Sequence, residues 1–295
     1  MSNETTATTA NDLRYTALIN AAILEEARPF NVSKQFFYMG GAGNGIGMSF
    51  PKQDDPGAAS SLTEGTDASN TELTTSEATA TATEQGIMAT ITDRLAATSI
   101  IDAMDHFAAV LGRSVAERVE NICAAQWASF SNTTGTSGSD LTLTNFITAV
   151  NALVGREAPG NYVAVLHPQQ VLDLQVGSGN TPGGILSAVS NGSNFLANPQ
   201  LRQSIMDNAA PAGYVGELMG VPIYQTTAVT TANNGADRAG AVFADQKAEA
   251  AYQLWDIRTE LQRDASLRAT EVVVTTCFGV VEWADTYGQS VITDA

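Results

Sequence analysis

The chain has 295 residues, 44% of them hydrophobic and only 15% charged, with a formal net charge of −17. That length suits one large domain or two small ones, and the charged fraction is well under the usual ~25%. An acidic balance, with lysine only at Lys34, Lys52 and Lys247, leaves no basic footprint of the kind nucleic-acid binders carry. No apolar run approaches the ~20 residues of a membrane span. The threonine-rich start lacks the basic region of a signal peptide, so the chain is expected to be intracellular or part of something assembled inside a cell.

Residues 1–11 read as a disordered tail, and 11–28 as an amphipathic helix (Leu13, Ala17, Leu18, Ala21, Leu24) that Pro29 stops. Residues 34–50 hold Phe36, Phe37 and Tyr38, then a glycine cluster from Gly40 to Gly47. The cluster lacks the Gly-Lys-Ser/Thr of a P-loop and the glycine spacing of a dinucleotide fold. A flexible turn or a close backbone approach is expected there. Residues 53–93 contain no Lys or Arg but eight carboxylates: Asp54, Asp55, Glu64, Asp67, Glu72, Glu77, Glu84 and Asp93. The front half is loop-like in composition. The back half alternates, with Thr79, Thr81 and Thr83 against Ala80, Ala82 and Glu84, and then Ile87, Ala89 and Ile91 against Met88, Thr90 and Thr92. This predicts a long hairpin at about 73–92, two strands joined by a polar turn. Its side chains are too small and polar to build a core, and a lone hairpin is marginal in water. It is expected to lie on a neighbouring copy; the alternative is a sheet edge folded onto its own domain.

Residues 98–130 form the organising stretch. Ile100, Met104, Phe107, Leu111, Val115, Val119, Ile122 and Trp127 recur at spacings of three and four, one face of an α-helix. Thr98 or Ser99 is the expected cap, Ser99-x-x-Asp102 having the capping-box form. At ~1.5 Å per residue the rod would span roughly 48 Å, with Gly112 as its weak point. Asp102, Asp105, Arg113, Glu117 and Glu120 are placed on the opposite, solvent-facing side.

After a Thr/Ser/Gly loop at 131–140, a helix is predicted over 141–154 and a buried strand over 162–166. Pro168 is expected to open a helix running through Leu174. Residues 177–194 read as a glycine-rich loop and 198–207 as a short helix. A strand pair is predicted within 213–229, a polar turn at 230–237, and strands at 240–245, 250–256, 257–263 and 271–283. Mixed elements with one long helix and a late β block point to an α+β fold.

Catalytic signals are weak. His106 rides on the long helix and His167 follows a strand; both read as structural. The chain has neither the His/Cys clusters of a metal site nor Gly-x-Ser-x-Gly. Its carboxylates are abundant, but nothing singles out a catalytic pair. Cys123 and Cys277 read as buried free thiols, with a disulfide or a metal pair as the alternative. No catalytic, cofactor-binding or metal-binding residue is assigned, and the chain is expected not to be an enzyme.

The order of parts resembles the major capsid proteins of tailed bacteriophages, the Hong Kong ninety-seven-type coat fold. The matching residues are Leu62-Thr-Glu-Gly65, residues 73–93 with Thr-Glu-Gln-Gly86 and Thr-Ile-Thr-Asp93, the long helix with Leu111-Gly112, Val165-Leu-His-Pro168, Gly220-Val-Pro-Ile-Tyr-Gln225 and the closing β block to Asp294. The resemblance implies an N-terminal arm (1–49), an extended hairpin loop (50–93), a peripheral domain with the spine helix (94–160), an axial domain (161–240) and a C-terminal β block (241–295) returning to the peripheral domain. It further implies self-assembly into hexamers and pentamers of an icosahedral virion shell around double-stranded DNA, in the cytoplasm of a bacterial host. Scaffolding and portal proteins are implied partners and a decoration protein is an open one. DNA would be contacted weakly and without sequence specificity, and no membrane is involved. Lys52 sits at the base of the loop, so lysine cross-linking between subunits is not expected. Two alternatives remain: an encapsulin-like nanocompartment shell, and a β-rich tail or adhesive protein.

Overall fold

The computed structural model describes residues 32–41, 45–53, 57–59, 61–68, 70, 72–98, 103–176 and 213–294. The expected tail and helix within 1–28, the capping box at 99–102, the loop at 177–194 and the helix at 198–207 lie outside the described residues.

The chain is α+β. Thirteen strands are labelled in chain order: β1 (Tyr38–Met39), β2 (Gly47–Gln53), β3 (Thr75–Thr81), β4 (Thr83–Thr92), β5 (Thr133–Thr134), β6 (Tyr162–Leu166), β7 (Tyr214–Leu218), β8 (Val221–Gln225), β9 (Thr231–Ala232), β10 (Asp237–Ala244), β11 (Glu249–Asp264), β12 (Ala269–Glu282) and β13 (Gly288–Asp294). The helices are α1 (Asp93–Thr98), α2 (Ala103–Gln126), α3 (Leu143–Gly155) and α4 (Pro168–Val176). Among the described residues, one sheet has the order β1-β11-β12-β4 and a second the order β5-β13-β10-β6-β8-β7, with β9 beside β10; β2 and β3 pair separately.

The spine helix α2 joins the two larger sheets. Leu111 and Val115 pack on Ile91, Val272 and Val274 of the first sheet and on Leu95 of α1. Val119 and Cys123 meet Phe37, Ala251 and Phe278. Ala124, and Trp127 just beyond the helix end, reach Val163, Ala241 and Phe243 of the second sheet. The apolar stripe is therefore correct from Leu111 on, but the helix stops short of the expected Phe130. It ends at Gln126, and Thr98 closes the preceding helix α1, its hydroxyl donating to the Arg94 carbonyl at 2.8 Å. Twenty-four residues give about 36 Å. The helix runs through Gly112, where an added Cβ would meet nothing within 4 Å.

Glu120 corrects the sequence reading. It is buried rather than solvent-facing. Its carboxylate accepts from the Ser33 amide (3.0 Å), the Ser33 hydroxyl (2.6 Å) and the Thr226 hydroxyl (3.1 Å). A buried carboxylate persists only when so bonded, and this one ties two residues far from the helix in sequence to it.

The second sheet is covered on both faces. Ala164, Leu166, Val242 and Val291 face Phe146, Leu153, Val171 and Leu174 of α3 and α4. Val163, Val165, Ala241 and Phe243 face Trp127, Phe130 and Phe36. That explains the unbroken apolar run of β6, which the sequence placed correctly. Thr142 caps α3 by accepting from the Asn145 amide, and Pro168 opens α4. The two stretches read as separate strands at 250–256 and 257–263 form one strand, β11, with irregular register between Gln253 and Arg258. The closing strand β13 was not resolved as an element in the sequence.

Glu249, the first residue of β11, is fully buried opposite Glu282 of β12. The Trp127 indole lies beside it, yet neither the carboxylate nor the indole nitrogen reaches hydrogen-bonding geometry. Burial pushes its carboxyl well above the ordinary range, and the nearby Glu282 adds to the rise.

Three outcomes follow from this packing. Val115→Asp places an unpaired charge among Leu111, Val272 and Val274, costs about 3–5 kcal/mol, and is expected to yield insoluble protein, whereas Gly112→Ala is expected to raise stability by about 0.5–1 kcal/mol in a denaturant melt. Because the folded state holds the Glu249 proton that the unfolded chain releases, its contribution to stability is present at low pH and is lost as pH rises through the raised value. The advantage of Glu249→Gln in melting temperature is therefore expected to widen from pH 5 to pH 8.

Candidate assembly surface

The acid-only segment does enter a hairpin, as its second strand, but not the hairpin its periodicity predicted. β3 and β4 do not pair with each other. β3 pairs antiparallel with β2, from Gly47↔Thr81 to Gln53↔Thr75, and β4 pairs with β12. The chain passes from one sheet to the other at Ala82 without turning back. Gly86, between the two alternating stretches, is a close approach: an added Cβ would lie 2.9 Å from the Thr275 methyl and 3.1 Å from the Val274 carbonyl.

The base of the hairpin sits on its own subunit. Phe50, Ala80 and Ala82 bury against Ala250, Tyr252 and Cys277. Tyr252 donates to the Gly45 carbonyl at 2.9 Å, and Trp283 to the Pro51 carbonyl at 3.1 Å. Gly279 permits this approach, since a Cβ there would lie 2.1 Å from the Thr81 carbonyl oxygen. Gly40 likewise lies against Met48, in keeping with the close-approach reading of the glycine cluster.

Beyond the base the picture changes. Every described residue between 57 and 77 is exposed. Leu62 is 73% and Leu73 is 52% accessible, standing among Glu64, Asp67, Glu72 and Glu77. The base therefore bears out the alternative of a sheet edge folded onto its own domain, while the described tip is exposed.

The residues weighed for chemistry do not converge. His106 lies on α2. His167, at the end of β6, accepts from the Gln169 amide at 3.3 Å; burial, with Arg238 nearby, lowers its pKa. Its neighbour Gln170 is the structural knot, accepting from the His167 amide and donating to Arg238 and Val291 carbonyls and the Thr293 hydroxyl. Cys123 and Cys277 are buried free thiols in separate clusters. Among the described residues no three His, Cys, Asp or Glu side chains group as metal ligands, and no helix is long and apolar enough to cross a membrane. The arginine-bearing end of the β11–β12 ribbon was not anticipated. There Arg263 grips Asp93 through two bonds of 2.6 and 2.7 Å, and that bonding lowers the Asp93 pKa. The sequence signal was only the alternation of β11 itself.

No family model and no curated protein matches the chain. Solved structures do. The capsid structure of the cyanophage P-SCSP1u superposes with a TM-score of 0.65 at 14% identity, over 90% of this chain and 89% of that one. The capsid of Ralstonia phage GP4 gives 0.64 at 12% identity, over 92% and 90%. The mature capsid of bacteriophage PhiM1 gives 0.63 at 11% identity, over 89% and 87%. At such identity the likeness is one of architecture, and it extends over nearly the whole length of both partners: the chain has the α+β fold of phage capsid subunits.

Proposed function

We propose that this chain is the major capsid protein of a tailed phage, self-assembling into hexamers and pentamers of an icosahedral shell around double-stranded DNA. The observation that carries the reading is the hairpin β2–β3, anchored at its base and exposed along its described tip, on a chain with the fold of capsid subunits. In this reading residues 50–93 are the extended loop that reaches a neighbouring subunit, and 1–49 the N-terminal arm. Residues 94–160 form the peripheral domain around the spine helix, 161–240 the axial domain at the capsomer centre, and 241–295 the returning β block. The role is structural, without catalysis. Scaffolding and portal proteins would assist assembly in the host cytoplasm. An acidic lining would repel packaged DNA and limit sticking, consistent with a genome driven in by a motor rather than condensed by basic arms.

Deletion of residues 61–72, which spares both strands of the hairpin, tests this. Negative-stain electron microscopy of the unaltered protein is expected to show closed particles. The deletion is expected to leave a folded, soluble subunit, unchanged by circular dichroism, that closes none. Normal particles from the deletion would remove the loop from its assigned role. Fibres or stable monomers from the unaltered chain would overturn the shell reading itself.

A further inference from the structure

β11 is an edge strand with a long open side. Its inner side pairs with β12 throughout, but on its outer side β1 meets only Ala250 and Ala251. Among the described residues no other strand pairs with that outer side. After the irregular register that ends at Arg258, the pairing with β12 is regular from Arg258↔Thr275 to Asp264↔Ala269. Arg258, Thr259, Glu260, Leu261, Gln262 and Arg263 are all exposed, Leu261 at 63%. Leu261 stands opposite Val272, so it shares the face on which Val272 packs against the spine helix. An open edge of this length is a template for another strand.

The charge pattern identifies that strand. In an antiparallel pair about a two-fold axis, directly opposite residues share a face, so each register is centred on one residue. Centring on Glu260 faces two glutamates; centring on Gln262 faces Glu260 with Asp264; centring on Arg263 faces two arginines. Centring on Thr259 draws the irregular stretch at Ile257 into the ladder. Centring on Leu261 sets Arg258 opposite Asp264 twice, leaves Glu260 opposite Gln262 and Thr259 opposite Arg263, and joins the two exposed leucines. The groups are available: the intrachain contacts of Arg258 with Glu260 and Thr275 use Nε, and the turn bonds of Asp264 all fall on Oδ1.

We propose that β11 pairs with β11 of a second copy, antiparallel, about a two-fold axis at Leu261, fusing two four-stranded sheets into one. The proposal deepens the shell reading and rests on it for its place in the particle. A ring built by rotation about its own axis uses head-to-tail contacts, whereas this contact is isologous. It therefore links a subunit of one capsomer to a subunit of the next.

The test is register-specific cross-linking. Residue 261 is its own partner in this register, at a Cα separation of about 4.5–5.5 Å, within disulfide reach. Leu261→Cys is expected to give a strong dimer band on a non-reducing gel after mild oxidation, the native thiols being buried. Glu260→Cys and Gln262→Cys are expected to cross-link weakly alone and strongly when co-assembled. Particles in which Leu261→Cys gives no dimer, or in which Glu260→Cys alone cross-links as fast, would overturn the pairing. If the unaltered chain forms no particles, the shell reading fails separately. The Leu261→Cys band from soluble protein then decides the edge contact alone, its presence supporting the pairing and its absence overturning it.

Discussion

The fold depends on a single strand that is wanted on four sides. β12 is hydrogen-bonded to β11 along one edge and to β4 along the other. Val272, Val274 and Phe278 receive the spine helix on one face. Cys277 and Gly279 receive the base of the acidic hairpin on the other. Each of these elements is amphipathic or small and polar, and none builds a core alone. From Cys277 to Val280 the side chains of β12 alternate between small and large, because its two faces accept different partners: the helix side wants volume and the hairpin side wants closeness. Gly279 is the extreme case, since any side chain there would displace the Thr81 backbone.

Most element types were legible because their burial is simple. β6 is buried on both faces and reads as an uninterrupted apolar run; α3 has one apolar face and a threonine cap. The hairpin was misplaced for a specific reason. The alternations of 79–84 and 87–92 read as the two strands of one hairpin, and periodicity alone does not reveal that the chain changes sheets at Ala82. Gly86, between the two stretches, serves a tight crossing over Thr275. Likewise the irregular register near Trp255 split β11 into two apparent strands.

Glu120 and Glu249 show the same limit in electrostatic form. A carboxylate on a helix opposite an apolar stripe is ordinarily solvated, so nothing local marked Glu120 as buried. Its partners, Ser33 and Thr226, lie 87 and 106 residues away. Such long-range bonding is invisible to spacing rules. Glu249 is the costlier case, because burial beside Glu282 and an indole offers no bonded partner. The cost is tolerable only with the proton retained, which makes this corner of the core responsive to pH while the satisfied Glu120 is held by its three donors.

The two open features of the surface differ in what they select. The hairpin tip carries Glu64, Asp67, Glu72 and Glu77, and the whole segment 53–93 has no cation. Two such tips repel, so a tip discriminates against its own kind and favours a surface of different charge. The regular part of β11 carries Arg258 and Arg263 with Glu260 and Asp264, two of each sign. That strand can face its own copy without net repulsion, and the order of its charges leaves one register free of like-charge opposition and of the irregular stretch. An assembly needs both properties, since head-to-tail contacts require surfaces that reject themselves and two-fold contacts require one that accepts itself. In a chain this poor in charge, placing single-sign residues on the arm and balanced residues on the edge is an economical way to keep the two kinds of contact from being confused.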